Sequence, residues 1–151
     1  MIKEINSTEA YSILQKSENA ILIDVRSSME YEYVGHPVNA IHVPIKEPPD
    51  WEIRIDFINN IKSELTKKFP NIQNLSEIYI LLLCRSGKRS EQAALMLESE
   101  GYKNTINITD GFEGDKDVNG HRSVINGWRF NKLPWKQDWQ YSSIFKILTK
   151  Y

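Results

Sequence analysis

Cys84 is the single cysteine of a chain of 151 residues, and a short polar and cationic run follows it. That run is Arg85-Ser86-Gly87-Lys88-Arg89-Ser90, with three cations within five residues of the cysteine. A thiol becomes a good nucleophile as its thiolate, and turn N–H groups, a following helix N-terminus and nearby cations all stabilise that anion. The pattern therefore predicts a nucleophilic cysteine in a loop that also attracts an anionic substrate.

Cys84 also has a simpler interpretation, because free cysteines are often buried as small hydrophobes. A structural cysteine would need neither a glycine nor a cluster of cations beside it. The residue follows an apolar strand at 78–83, and a junction between such a strand and a helix exposes its first loop residue at the carboxyl edge of the sheet. We therefore favour the nucleophile and expect Cys84 to be exposed. The serines at 86 and 90 fit helix capping.

Alternating apolar strands and amphipathic helices predict an α/β fold with a mainly parallel sheet. Continuous apolar runs are typical of buried parallel strands, whereas apolar residues at helical spacing indicate helices that pack on the sheet. We predict strands at 20–25, 40–43, 78–83 and 105–108, and helices at 7–16, 28–34, 90–100 and from 57 to the proline at 70. Ser7 is the expected N-cap of the first helix.

Composition and charge limit the classes of function. A formal net charge of -1 argues against a nucleic-acid-binding surface, which normally has a basic excess. Residues 1–6 lack an apolar signal core, and no later apolar run is long enough to cross a bilayer. We therefore expect a cytoplasmic protein and disfavour a membrane or nucleic-acid partner. A single cysteine excludes an internal disulfide, a CxxC redox pair and a cysteine-based zinc site.

The chain length suits one hydrophobic core, so we predict a single domain over residues 1–151. Within it, residues 137–151 are interpreted as a C-terminal helical extension whose apolar side chains share one face: Tyr141, Ile144, Phe145 and Leu148. Docking on its own domain, a dimer contact and a membrane-surface tether are three uses of this helix that the sequence leaves open.

Other polar residues have both structural and functional interpretations. Asp24 and Arg26 lie at the end of the first apolar strand and predict an ion pair that fixes loops, with direct substrate contact as the alternative. His36 and His42 are interpreted as turn and core histidines held by backbone partners. Residues 115–120 copy the opening of a calcium loop, but the twelfth position lacks the bidentate glutamate. We therefore predict a hydrogen-bonded turn there.

Several separated segments together resemble the single-domain form of the rhodanese family of sulfurtransferases. They are Asp24-Val25-Arg26 with Glu30-Tyr31, Gly35 to Pro44, Cys84 to Arg89, Gly111 to Gly114, Asn126-Gly127-Trp128 and Leu133-Pro134-Trp135. Their order and spacing agree with the family over most of the chain. One departure lies in the family's Gly-His-Ile-Pro-Gly-Ala pattern, where this chain has Asn39 in place of a glycine. Asparagine tolerates a left-handed backbone, so we expect the turn to persist.

The resemblance implies a rhodanese-like α/β fold, with a mainly parallel central sheet of about five strands and helices on both faces. It also implies that Cys84 is the catalytic residue of a sulfurtransferase that moves a sulfane sulfur from an anionic donor such as thiosulfate, through a persulfide, to cyanide or a thiol. The implied substrate-binding residues are Arg85, Ser86, Gly87, Lys88 and Arg89, and the implied supporting residues are Asp24, Arg26 and Ser90. Of these cations, Arg89 is expected to serve loop geometry. No cofactor or metal is implied.

Two other classes of function stay open. Cysteine-dependent phosphatases and arsenate-handling enzymes resemble this layout but hold one residue more between cysteine and arginine than the four of this chain. The shorter loop suits attack on a single terminal sulfur. The other class is a persulfide carrier or regulatory binding module without fast turnover. A small anionic sulfur donor and a thiol or cyanide acceptor are the implied partners, and a protein donor or acceptor also stays open.

Overall fold

The computed structural model describes residues 1–137, which form an α/β fold. The strands are β1 (Lys3–Ile5), β2 (Ala20–Asp24), β3 (His36–Pro37), β4 (Ile41–His42), β5 (Tyr79–Leu83), β6 (Thr105–Ile108) and β7 (Trp135–Lys136). The α-helices are α1 (Ser7–Lys16), α2 (Phe57–Lys68) and α3 (Lys88–Ser99), and shorter helical turns lie at Glu30–Val34 and Leu75–Glu77. Within residues 1–137, none of the helices has the length and apolar character needed to span a bilayer.

The central sheet contains five strands in the order β1-β6-β5-β2-β4, and every neighbouring pair is parallel. The neighbouring inner strands β5 and β2 pair Ile21 with Ile80 and Ile23 with Leu82. Every residue of β2 is buried. This is expected for a parallel strand covered on both faces, where apolar and polar residues do not alternate.

Helices cover both faces of this sheet. The core on one face includes side chains of α2 and α3, namely Phe57, Ile61, Leu65, Ala93, Ala94 and Leu97. The core on the other face joins Ala10 of α1 to Phe112 and Trp128, which follow β6. The structure confirms the predicted parallel sheet with helices on both faces, and the sheet has the predicted number of strands.

The start of α1 differs from the prediction of an N-cap at Ser7. Asn6 is the cap, since its side-chain oxygen accepts a hydrogen bond from the Glu9 N–H at 2.9 Å. Ser7 lies inside the helix and binds Asp110 after β6, donating its N–H at 2.8 Å and its hydroxyl at 2.7 Å. Ser7 was predicted as the cap from local preference alone. Its side chain instead binds Asp110, a residue distant in sequence.

β1, β3 and β7 were not predicted from the sequence. β1 pairs with β6 in parallel, whereas β3 and β7 form a separate antiparallel ladder that pairs Pro37 with Trp135. Strands of two or three residues are too short to show strand periodicity. Residues 138–151, which hold nearly all of the predicted C-terminal helix, lie outside the described residues. That helix and the single-domain boundaries therefore stay predictions.

Candidate active site

The carboxyl edge of the sheet gathers the residues that could do chemistry. Parallel strands end at the same edge, so Asp24 at the end of β2 and Cys84 after β5 lie near each other. The two strand ends are joined by the N–H of Val25, which donates to the Leu83 carbonyl at 2.9 Å. The site therefore begins directly at the ends of two hydrogen-bonded strands.

The Cys84 sulfur lies against the first turn of α3. The Gly87 N–H donates a hydrogen bond to Sγ at 3.1 Å, and the Ser90 hydroxyl lies 3.2 Å from the same sulfur. A helix N-terminus carries partial positive charge because its first N–H groups lack partners within the helix. The sulfur therefore lies beside a backbone donor, a hydroxyl and the positive end of a helix.

Cys84 is nevertheless buried, with 1% of the residue exposed, so the predicted exposure was wrong. The segment after β6 closes over the loop. The N–H of Phe112 donates to the Cys84 carbonyl at 2.8 Å, and the next two N–H groups donate to the Arg85 carbonyl at 3.0 and 3.1 Å. Gly111 permits this approach, since a Cβ there would lie 2.5 Å from the Cys84 oxygen.

Ser90 connects the sulfur to Asn107 of β6. The serine hydroxyl donates to Asn107 Oδ1, and Asn107 Nδ2 donates to the Gly87 carbonyl at 3.1 Å. A hydroxyl has a single hydrogen, so Ser90 donates either to Asn107 or to an ionised sulfur. With its hydrogen on Asn107, Ser90 accepts from the Cys84 thiol. Asn107 was not predicted as a site residue, although an asparagine between two isoleucines of a predicted strand was a signal in the sequence.

α3 begins at Lys88, two residues before the predicted start at Ser90. Gly87 is its N-cap, with a left-handed φ of 102° and no side-chain capping bond. The interpretation of the serines at 86 and 90 as caps was therefore wrong. Ser90 lies inside the helix, where its hydroxyl faces Cys84 instead of an unpaired backbone N–H.

Arg89 forms a two-point ion pair with Glu30, with Nη1 2.7 Å from Oε1 and Nη2 2.9 Å from Oε2. Both side chains are largely buried, each 18% exposed. Burial by itself would raise the pKa of Glu30, but the hydrogen bonds and charge of Arg89 outweigh it and lower the pKa to about 2. Arg89 thus ties the Cys84 loop to the helical turn after β2, and Glu30 joins the site.

Arg85 and Lys88 are the exposed cations of the loop. Within residues 1–137, neither forms an ion pair with a carboxylate. Arg85 and Arg89 line a cavity of about 920 Å³ beside the loop, together with Glu30. The loop therefore presents an unpaired guanidinium to this cavity at the residue that follows the buried cysteine.

Asp24 and Arg26 form a fully buried ion pair. Arg26 Nε donates to Asp24 Oδ1 at 3.0 Å and Nη2 to Oδ2 at 2.7 Å, while Nη2 also donates to the Gly35 carbonyl at 2.6 Å. The guanidinium lies 4.4 Å from the centre of the Phe112 ring. Burial would lower the pKa of Arg26, yet the charge and hydrogen bonds of Asp24 raise it. Arg26 thus connects the end of β2, through Asp24, to the backbone at Gly35.

The two motif histidines have backbone partners. His36 Nδ1 lies 2.9 Å from the Tyr31 carbonyl oxygen, and His42 Nε2 lies 2.8 Å from that of Arg26. Both imidazoles stack on the ring of Tyr31. In residues 115–120, the Asp117 carboxylate accepts from the N–H groups of Asn119 and His121 and forms a turn.

A model of the rhodanese-like domain family matches residues 7–117. The chain belongs to the rhodanese-like domain family. The resemblance drawn from the sequence motifs is therefore confirmed. Among solved structures, this rhodanese-like domain is similar to the crystal structure of Rv0390 from M. tuberculosis, with 30% identity and a TM-score of 0.75 over 90% of this chain and 98% of that one.

Two relatives extend the comparison. An RP600 homolog of Rickettsia rickettsii is 38% identical over 138 residues, which cover 89% of this chain and 98% of the relative. The thiosulfate sulfurtransferase GlpE of Haemophilus influenzae is 29% identical over 112 residues, which cover 74% of this chain and 86% of the relative. The rhodanese-like domain thus has named sulfurtransferases among its relatives at modest identity.

Loss of the buried carboxylate is expected to destabilise the rhodanese-like domain strongly. Asp24→Asn leaves the Arg26 charge buried and unpaired, which costs about 3–5 kcal/mol. Urea unfolding measures the change. Glu64→Gln is the matched control, because it removes an exposed pair with Lys67 and is expected to cost less than about 1 kcal/mol. Equal destabilisation by the two variants would contradict the structural role of Asp24.

The Glu30–Arg89 pair predicts a defined pH dependence of stability. The folded-state pKa of Glu30, about 2, lies below its ordinary value of 4.5, so its contribution is complete above 4.5 and is lost as the pH falls toward 2. The difference corresponds to about 3 kcal/mol. In Glu30→Gln, urea unfolding is expected to show a smaller loss of stability across that window. An unchanged slope would contradict the assignment.

Proposed function

We propose that this rhodanese-like domain is a sulfurtransferase that moves a sulfane sulfur from an anionic donor such as thiosulfate to cyanide or a thiol through a persulfide on Cys84. The observation that carries the proposal is the Gly87 N–H directed at Sγ at 3.1 Å, at the start of α3. The unpaired Arg85 beside it supports binding of an anion. The relationship to GlpE, named as a thiosulfate sulfurtransferase, supports the donor.

The first step forms the persulfide. The Cys84 thiolate attacks the outer sulfur of thiosulfate, a new S–S bond forms, and the bond to the inner sulfur breaks with its electron pair leaving on sulfite. Arg85 and Lys88 bind the donor and balance the charge that develops on the departing group. Backbone N–H groups of the loop hold the transferred sulfur, as the Gly87 N–H holds Sγ.

The second step regenerates the enzyme. Cyanide or a thiolate attacks the outer sulfur of the persulfide, the S–S bond to Cys84 breaks, and Cys84 leaves as the thiolate that Gly87 and Ser90 stabilise. No base is needed when the nucleophile of each step is an anion. Arg89, held by Glu30, keeps the loop in place, as do Asp24 and Arg26.

Two observations bear on the alternative functions, a persulfide carrier and a phosphatase or arsenate reductase. The burial of Cys84 favours a persulfide carrier or regulatory module as the second candidate, since slow access to the sulfur would limit turnover. The ion pair of Arg89 with Glu30 disfavours a phosphatase or arsenate reductase, because that arginine is not free to bind a tetrahedral oxyanion.

Steady-state kinetics tests the proposal. With thiosulfate and cyanide varied together, we expect parallel double-reciprocal plots, the sign of a ping-pong mechanism with a covalent intermediate. A single turnover of loading without further thiocyanate release would favour the carrier instead. Hydrolysis of an aryl phosphate without consumption of thiosulfate would contradict the sulfurtransferase.

A further inference from the structure

Asn107 closes a ring of hydrogen bonds around the Cys84 sulfur. The Gly87 N–H donates to Sγ at 3.1 Å, and the Gly87 carbonyl accepts from Asn107 Nδ2, also at 3.1 Å. Asn107 Oδ1 accepts from the Ser90 hydroxyl, whose oxygen lies 3.2 Å from Sγ. One amide thus binds both of the residues that contact the sulfur.

The Gly87 carbonyl fixes the orientation of the Asn107 amide. A carbonyl oxygen can only accept, so the NH₂ group of Asn107 faces it and Oδ1 faces Ser90. An amide oxygen also only accepts, which commits the one hydrogen of the Ser90 hydroxyl to Asn107. The lone pairs of the Ser90 oxygen are then the groups that face Sγ.

This hydrogen-bond ring is buried. Cys84, Gly87, Ser90 and Asn107 all belong to the buried residues, so solvent does not replace a partner that one of them loses. Within residues 1–137, the side chains of Ser90 and Asn107 form no further hydrogen bonds. A buried polar atom left without a partner is costly, so the bonds of the ring depend on one another.

Ionisation of Cys84 breaks one bond of the ring. While the proton stays on sulfur, the thiol donates to Ser90 and Ser90 donates to Asn107. When the proton leaves to solvent, the Ser90 lone pairs face a sulfur anion, or the hydroxyl turns to the sulfur and Asn107 Oδ1 loses its partner. Each arrangement gives up a hydrogen bond that the thiol form keeps.

We propose that Asn107 is a positioning residue that restrains Cys84 in its thiol form by acting through the Ser90 hydroxyl. The restraint opposes the stabilisation that a backbone donor and a helix N-terminus offer an anion. Alkylating agents and oxidants attack the thiolate, so the restraint limits side reactions of the resting sulfur. It acts on the nucleophile of the proposed function, but its consequences are measurable without sulfur transfer.

Charged side chains lie on the loop around Cys84, on the end of β2 with the turn after it, and on the segment after β6. They are Arg85, Lys88, Arg89, Asp24, Arg26, Glu30, Asp110 and Glu113. Among the described residues, none of these charged groups hydrogen-bonds to Ser90 or Asn107. The variants below leave all of these charges in place, so a change in ionisation reports on the hydroxyl and the amide.

Titration of the single cysteine tests the role of Asn107. The ultraviolet absorbance of the thiolate is taken as the difference between each protein and the same protein with Cys84→Ser, and it gives the ionised fraction even for a buried sulfur. Asn107→Leu frees the Ser90 hydrogen for the sulfur. At a pH where little of the parent protein is ionised, we expect the ionised fraction to rise about fivefold. Asn107→Ala is a second variant with the same expected rise.

Ser90→Ala determines whether Asn107 acts through the serine. In the double variant with Asn107→Leu there is no hydroxyl to release, so the ionised fraction should equal that of Ser90→Ala alone. Thr105→Val is the matched control on the same face of β6. It removes a buried hydroxyl that has no hydrogen-bond partner in the part of the chain that the structure describes, and it should leave the ionised fraction unchanged.

The outcomes separate the restraint from the proposed function. An ionised fraction that is unchanged or lower in Asn107→Leu and Asn107→Ala would overturn the restraint. A rise that persists in the Ser90→Ala background would also overturn it, because Asn107 would then act through the Gly87 carbonyl. Failure of the parent protein to transfer sulfur to cyanide would overturn the proposed function and leave the restraint standing.

Discussion

Cys84→Ser is expected to lower kcat/KM for sulfur transfer from thiosulfate to cyanide at least about a thousandfold. A serine hydroxyl is scarcely ionised near neutral pH and cannot form a persulfide. The thiocyanate released over time measures the loss. The size of the effect follows from the mechanism, in which both steps pass through the same sulfur atom.

The fold of this variant is expected to survive, which separates chemistry from stability. A serine hydroxyl occupies nearly the same space, and the Gly87 N–H and the Ser90 hydroxyl remain as its hydrogen-bond partners. Urea unfolding should therefore shift by less than about 1 kcal/mol. Substantial thiocyanate release by the folded serine variant would contradict a role for Cys84 as the nucleophile.

Gly87→Ala is expected to damage both the stability of the domain and its activity. Gly87 has a φ of 102°, and a Cβ at this position would overlap the Thr109 carbonyl oxygen. The strain and the overlap together should cost about 2–4 kcal/mol. Relief of the overlap would move the Gly87 N–H away from Sγ, so we expect kcat/KM to fall at least about tenfold. Urea unfolding and thiocyanate release measure the two effects.

Gly101→Ala is the matched control for that prediction. Gly101 has a φ of 99°, almost the same as Gly87, but a Cβ there would meet nothing within 4 Å. The control therefore carries the backbone strain alone, about 1–2 kcal/mol, and should keep its activity. Similar losses in the two variants would show that the contact between Gly87 and Thr109 is unimportant.

The central strands could be predicted because buried parallel strands are continuous apolar runs. β2, β5 and β6 have ends that differ from the predicted ones by one residue or none. The end of β5 was equally clear, since polar residues and a glycine follow its apolar run. Asn39 also follows local rules: its φ of 68° is left-handed, a conformation that asparagine tolerates in place of the family's glycine.

Contacts between distant segments were the part that the sequence could not provide. The burial of Cys84 depends on backbone hydrogen bonds from the segment after β6. Glu30 and Arg89 are separated by 59 residues, and their spacing gives no sign that the two side chains meet. The local sequence pattern indicates which backbone conformation a segment prefers. The burial of Cys84 and the pairing of Glu30 with Arg89 depend instead on which loops the folded sheet brings together.

Trp51 and Arg122, which line the cavity beside the Cys84 loop, show the same limit. Each lies in an irregular segment without strand or helix periodicity, and only the fold places both segments beside that loop. Loops on a rigid scaffold often carry binding residues for this reason.

Intact-protein mass spectrometry after incubation with thiosulfate tests the central claim most directly. We predict that the parent protein gains the mass of one sulfur atom, that Cys84→Ser gains none, and that cyanide removes the added mass. A parent protein that gains no sulfur, or an equal gain by Cys84→Ser, would contradict a persulfide on Cys84.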